Sequence, residues 1–275
     1  MSSGNMITGR SMSATDVAGG AMEQGHTHAA DGTRLAWQRA GTGRPLVLLA
    51  GQANNHTWWD RARGDFSGST ITMDYRGTGA SDKPDVPYST RGFADDVIAV
   101  LDTLGIDQAD LYGTSMGGRT AQWVAALYPQ RVRRLVLGCT SPGGVHGFER
   151  TNDVRRALMG PDSRQVLVDL MYTPAWRADN PGPYTILGDP NMPPHAVRGH
   201  LVASNEHDAW DVLDRITTPT LVLHGEDDML TPAANVPVLA ERIPHATTHV
   251  FPGARHAYFD ECRPQASLMV EAFLA

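Results

Sequence analysis

The sequence predicts an α/β fold: a mostly parallel central sheet with helices on both faces and an inserted helical cap. Short Val-, Leu- and Ile-rich runs alternate with longer amphipathic stretches, as strands alternate with crossover helices. Several of the apolar runs are too apolar to face water on either side, which suits strands buried between helical layers. The alternation breaks over residues 141–214, where prolines, three clustered histidines and the aromatic residues Phe148, Tyr172, Trp176, Tyr184 and Trp210 collect. This stretch is expected to be a cap inserted into a core formed by residues 31–140 and 215–275.

The apolar runs place strands at 35–39, 46–50, 70–73, 110–112, 134–138, 220–224 and 247–251. A helix is expected over 93–104, where Phe93, Val97, Val100, Leu101 and Leu104 recur at three- and four-residue spacing. A second should run from 115 to 128, stopped by Pro129, and a third from about 264 to the end. Residues 1–30, rich in Ser, Gly, Ala, Thr and Met, lack the apolar centre of a signal peptide and are expected to be a loose tail.

Composition narrows the function. The chain has 275 residues, 41% hydrophobic and 19% charged, with a formal charge of −7. That is the make-up of a globular protein with a continuous core, and it offers no basic footprint for nucleic acid. A run of about eighteen apolar residues is absent, so no membrane partner is expected. Two cysteines, Cys139 and Cys262, make neither a disulfide framework nor a metal spacing, which fits a reducing cytoplasmic setting with no metal or cofactor. Cys139 closes the run Leu135-Val136-Leu137-Gly138 and should be a core residue. The expected partner is a small-molecule substrate, and homo-oligomerisation stays open.

The chemistry centres on Gly113-Thr114-Ser115-Met116-Gly117. Gly-x-Ser-x-Gly between a strand and a helix sets a serine on a sharp, strained turn that admits only small neighbours. Here Leu111 and Tyr112 end an apolar strand, and Gly118 onward reads as a helix. A serine hydroxyl needs a base, and the base needs an acid to orient it. Downstream, the strand Leu221-Val222-Leu223-His224 runs into Gly225-Glu226-Asp227-Asp228, so Asp227, Asp228 and Glu226 all compete to be that acid. Of eleven histidines, His256 alone follows the last strand and precedes the final helix. The oxyanion of an acyl-transfer intermediate would take the N–H of Met116, at a helix N-terminus, and a second N–H from Ala50-Gly51-Gln52-Ala53, with Gln52 the preferred donor.

With these residues in place, the chain from Asp31 onward resembles the serine branch of the α/β-hydrolase superfamily. Met73-Asp74-Tyr75-Arg76-Gly77-Thr78-Gly79-Ala80-Ser81 is similar to that family's Asp-x-Arg-Gly-x-Gly-x-Ser loop, taken as structural, with Asp74 and Arg76 pairing locally. The spacing Gly225-x-x-Asp228-x-x-x-Pro232 matches the family pattern and favours Asp228 as the acid. The Ser-Met-Gly-Gly elbow is similar to those of 3-oxoadipate enol-lactonases, carbon–carbon bond hydrolases and cofactor-free haloperoxidases. Tyr172-Thr173-Pro174-Ala175-Trp176-Arg177 leans towards the enol-lactonases. The resemblance implies an acyl-enzyme on Ser115 and hydrolysis of an ester or lactone.

One departure stands out. Most members have His-Gly where this chain has Ala50-Gly51, followed by Gln52-Ala53-Asn54-Asn55-His56. Asn55 and His56 are therefore candidate substrate contacts, as is Trp176 in the cap. Met159, Met171, Trp176, Tyr184 and Met192 suggest a largely apolar pocket for a medium-sized ligand.

Overall fold

The computed structural model describes residues 22–275. Among them, eight strands form one sheet in the order β1-β2-β4-β3-β5-β6-β7-β8. They are β1 (Glu23–His28), β2 (Arg34–Ala40), β3 (Pro45–Leu49), β4 (Ser69–Met73), β5 (Ala109–Thr114), β6 (Val132–Gly138), β7 (Thr220–Gly225) and β8 (Ala246–Phe251). β2 runs antiparallel to both its neighbours, and β3 to β8 are mutually parallel. Strand order reverses at β3: the chain goes from β3 to β4 on one side, then returns across it to β5 on the other. In open α/β sheets a crevice forms beyond the carboxyl ends of the strands at such a reversal. Here those ends are Leu49 of β3 and Thr114 of β5.

Every residue of β4, β5 and β7 is buried, as in strands covered by helices on both faces. The seven expected strands and the three expected helices are all present. α1 (Thr90–Thr103) starts on the side chain of Ser89, which accepts the Gly92 N–H, and buries Phe93, Val97, Val100 and Leu101. α2 (Met116–Leu127) is stopped at Tyr128 ahead of Pro129. Between β6 and β7 the chain carries α3 (Asn152–Leu158), α4 (Ser163–Met171), α5 (Pro174–Asp179) and α6 (Pro194–Asn205). α7 (Asn235–Arg242) joins β7 to β8, and α8 (Tyr258–Glu261) and α9 (Gln265–Leu274) end the chain.

The loose tail expected over residues 1–30 needs correction at its end. Residues 1–21 lie outside the described part, but Glu23–His28 is an edge strand paired along its length with Arg34–Arg39 of β2. Its sequence, Glu-Gln-Gly-His-Thr-His, holds no apolar residue, and only Thr27 is buried. A polar edge strand has no alternation to detect, and its polarity blunts edge-to-edge aggregation.

Asp74 and Arg76 are both paired, but with other residues and not with each other. Arg76 forks onto Asp96 of α1, with Nε 2.8 Å from Oδ2 and Nη2 2.6 Å from Oδ1, while Nη1 reaches Asp31 at 2.7 Å. Asp74 turns the other way, accepting the Ala80 N–H at 2.9 Å and both the N–H and the ring Nδ1–H of His56 at 2.8 Å. The Asp74 and Asp96 carboxylates are buried, so each needs its own donors.

Removing one partner of such a buried pair leaves an uncompensated charge, at a cost of about 3–5 kcal/mol. Arg76→Met strands Asp96 in this way. Urea unfolding should show a loss of that size, against a much smaller loss for Arg34→Met, whose partner Asp82 is exposed.

Candidate active site

Ser115 is the hinge between β5 and α2, with φ 57° and ψ −122°. A non-glycine residue at positive φ is strained and persists only where its surroundings hold it. Here the Ser115 N–H donates to Gly138 O at 2.8 Å, and its carbonyl accepts the Gly118 and Arg119 N–H groups and the Thr140 hydroxyl. The flanking glycines are required by contact. A Cβ on Gly113 would sit 2.2 Å from Gly117 O, and one on Gly117 would sit 2.2 Å from Leu49 O. The turn is therefore wedged against the end of β3, which brings the Gly51–Gln52 loop beside the first turn of α2.

Neither the Gln52 nor the Met116 N–H donates to a protein acceptor among the described residues. Met116 is the first residue of α2, where amides lack intrahelical acceptors and the helix dipole favours negative charge. The two expected oxyanion donors thus lie at adjoining ends of β3 and β5, the point where strand order reverses.

Asp228 and His256 stand together. His256 Nδ1 is 2.7 Å from Asp228 Oδ2, and both residues are buried. Glu226 and Asp227, the competing acids, are exposed, and Glu226 accepts the Gly253 N–H instead. The loops carrying the pair are stitched together by Asp227 N–H to Ala254 O at 2.9 Å and Glu226 N–H to Phe251 O at 3.0 Å. Asp228 Oδ1 accepts the Leu230 and Thr231 N–H groups at 2.8 and 2.9 Å. Burial alone would raise the Asp228 pKa, but the charge and hydrogen bonds of His256 and His224 outweigh it and hold the carboxyl well below the usual range.

Sequence reasoning passed over His224. It is fully buried at the end of β7, its Nε2 3.2 Å from Asp228 Oδ2 and 2.6 Å from Thr231 O. Asp228 is thus held by two histidines and two backbone amides. The signal was available: a histidine inside the buried run Leu221-Val222-Leu223 must have a polar partner, and the nearest acid lies four residues on. Cys139 is fully buried, as expected, and burial raises its thiol pKa well above normal, so it is not a nucleophile. Its backbone is informative, since the Cys139 N–H donates to Leu223 O of β7 at 2.9 Å while the preceding Gly138 O accepts the Ser115 N–H. This ties the β5 and β7 ends into one locality.

Three expected substrate contacts are otherwise engaged. The Asn55 side chain caps a 3-10 turn, accepting the Thr57 N–H at 3.0 Å and hydroxyl at 2.7 Å. His56 is committed to Asp74. Trp176 stacks on Tyr172 with ring centroids 4.3 Å apart and carries Arg61 over its face at 5.1 Å. The apolar lining expected from the cap also dissolves in part: Met159 is 78% exposed and Met171 is 2% exposed in the core. Trp58 buttresses the loop, donating Nε1–H to Thr114 at 2.9 Å under Gly51, whose Cβ would strike its ring.

An alpha/beta hydrolase fold family model matches residues 45–261. The chain is 31% identical over 232 residues to 3-oxoadipate enol-lactonase 2 of Acinetobacter baylyi, covering 81% of this chain and 85% of that protein. It is 32% identical over 270 residues to a 2-hydroxymuconate semialdehyde hydrolase of Pseudomonas putida, covering 92% and 95%. Among solved structures it resembles Est816, described as an N-acyl homoserine lactone degrading enzyme, with a TM-score of 0.75 and 30% identity over 90% of this chain and 99% of that one.

The His56–Asp74 pair makes a pH prediction. The hydrogen bond to Asp74 raises the His56 pKa above 6.5. The charged pair thus stabilises the fold fully below that value and fades as pH rises through the raised pKa. The stability difference between wild type and His56→Asn, from urea titrations, should be largest below pH about 6 and shrink above neutrality.

Proposed function

The chain belongs to the alpha/beta hydrolase fold family and is a hydrolase, and from that premise we propose that it cleaves a carboxylic ester or lactone of a small molecule through an acyl-enzyme on Ser115. The observation that carries this reading is the buried 2.7 Å contact between His256 Nδ1 and Asp228, and the strained strand-to-helix turn at Ser115 supports it.

Asp228 accepts the Nδ1–H of His256, which leaves Nε2 unprotonated as the base. Nε2 takes the hydroxyl proton as Ser115 Oγ attacks the carbonyl carbon. The resulting oxyanion is met by the N–H groups of Met116 and Gln52, which meet no protein acceptor among the described residues, so little reorganisation opposes its formation. His256 then gives the proton to the departing alkoxide. Water repeats the sequence on the acyl-enzyme and releases the acid. Asp228 stays ionised throughout, because four donors hold it. His224 serves there as a positioning residue, fixing the carboxylate oxygen that orients His256.

A carbon–carbon bond hydrolase on the same scaffold is the second reading, supported by the Pseudomonas putida relative, which is named for a semialdehyde and not for an ester. The two readings share Ser115 and part at the products.

A fluorophosphonate probe should label wild type and not Ser115→Ala; equal labelling of both contradicts the nucleophile. Asp228→Asn should fold yet lose roughly 10⁴ in kcat, the size expected when the acid no longer holds the base in its tautomer. Chromatography of products from p-nitrophenyl esters, lactones and an open-chain vinylogous diketone then separates the readings. Turnover of the diketone alone favours carbon–carbon cleavage.

A further inference from the structure

The loop carrying Gln52 lacks the family's usual histidine before Gly51, and a histidine from elsewhere holds it. Residues Gly51 to Asn54 form a turn closed by Asn54 N–H to Gly51 O at 3.3 Å. Ala53, third in the turn, has φ 57°. A turn with positive φ only at that position is type II and favours glycine there. An alanine is strained in it, and the strain is relieved if the Gln52–Ala53 peptide flips. Both ends of that peptide are tied. Gln52 O accepts from Asn54 Nδ2 at 2.8 Å, and Ala53 N–H donates to His200 Nδ1 at 3.2 Å.

His200 comes from α6, between β6 and β7, far from the turn in sequence. Its other nitrogen, Nε2, lies 2.9 Å from Arg76 O. A carbonyl oxygen only accepts, so Nε2 carries the proton and Nδ1 presents its lone pair to Ala53. The ring is wholly buried and boxed by Tyr75, Tyr88 and Phe93, with centroids 5.1 to 6.2 Å away. Burial pushes its pKa down to about 4, so the accepting form is the one present near neutrality. The same insertion holds the turn twice more, through Asp189 N–H to Ala53 O at 2.7 Å and Gly188 N–H to Asn54 Oδ1 at 2.9 Å.

We propose that His200 is a positioning residue of the oxyanion hole: by accepting the Ala53 N–H it holds the strained turn in the form that aims the Gln52 N–H at the reacting carbonyl oxygen. This rests on the serine-hydrolase reading above. It also couples the inserted helices to the chemistry, since the turn cannot keep its form if α6 moves away.

The test compares wild type, His200→Phe and His200→Asn by p-nitrophenyl butyrate kinetics, inhibition by phenylboronic acid and thermal unfolding. Phe fills the volume without an acceptor, whereas the Asn Oδ1 falls near the Nδ1 position. His200→Phe should lower kcat about tenfold to a hundredfold, short of the full loss of a donor, with KM within about twofold. Its boronate inhibition constant, which reports the tetrahedral adduct, should rise by a similar factor. His200→Asn should recover most of both. Unchanged kcat and inhibition in His200→Phe overturn the inference, as does equal damage in the two variants that tracks their melting temperatures. Wild type that fluorophosphonate does not label removes the serine-hydrolase reading, and this one with it; labelled wild type with an indifferent His200→Phe removes only this one. Should His200→Phe not fold, ¹⁵N NMR of the wild type decides. An unprotonated Nδ1 coupled through the hydrogen bond to Ala53 N, persisting with phenylboronic acid bound, is expected, and a protonated Nδ1 contradicts it.

Discussion

The backbone of Ser115 occupies a conformation that an L-residue adopts only when forced, and much of the surrounding architecture supplies the force. β5 delivers the chain to the turn between two parallel neighbours, and α2 leaves it at once in the opposite layer. Gly113 and Gly117 exist because a side chain at either would drive into backbone at little more than 2 Å. Contact of Gly117 with the Leu49 and Ala50 carbonyls seats the turn against the end of β3. The serine and the Gln52 loop are thus set where strand order reverses at β3. Strain at a single residue of this kind is worth about 1–3 kcal/mol, which a domain of this size absorbs in its buried sheet.

Around that turn, charge is handled by giving the buried carboxylates of Asp228, Asp74 and Asp96 more than one donor each. Asp228 has two amides and two histidines, Asp74 has His56 and Ala80, and Asp96 has the Arg76 fork. A buried carboxylate with fewer donors would take up a proton and lose its orienting role. His256, His56 and His200 show one side chain in three settings: facing an acid at the site, bonded to a buried carboxylate in a structural pair, and neutral in an aromatic box. Identity alone does not assign their roles; the partner of each ring nitrogen does.

The parts legible in the sequence were those with a repeating or local physical signal. Seven strands announced themselves as short runs rich in Val, Leu and Ile, α1 as three- and four-residue periodicity, and α2 by the elbow before it and Pro129 after it. Ser115 was readable because its strain demands glycines at fixed offsets, and His256 because chain order left one histidine after β8. β1 was not, since a wholly polar edge strand carries no alternation. The contacts that Asn55, His56 and Trp176 make within the protein were not legible, because polar and aromatic loop residues look alike whether they face a ligand or cap a turn. His200 was illegible, as its contact with Ala53 joins residues 147 positions apart and leaves no trace in local pattern.

The central claim, that Ser115 carries the acyl group, is tested most directly by rapid-quench mass spectrometry of the protein mixed with p-nitrophenyl butyrate. A butyryl adduct that forms and decays on the peptide containing Gly113 to Gly117, at a rate competent for turnover, is the predicted result. Turnover with that peptide unmodified, or with the adduct on another residue, would contradict the account.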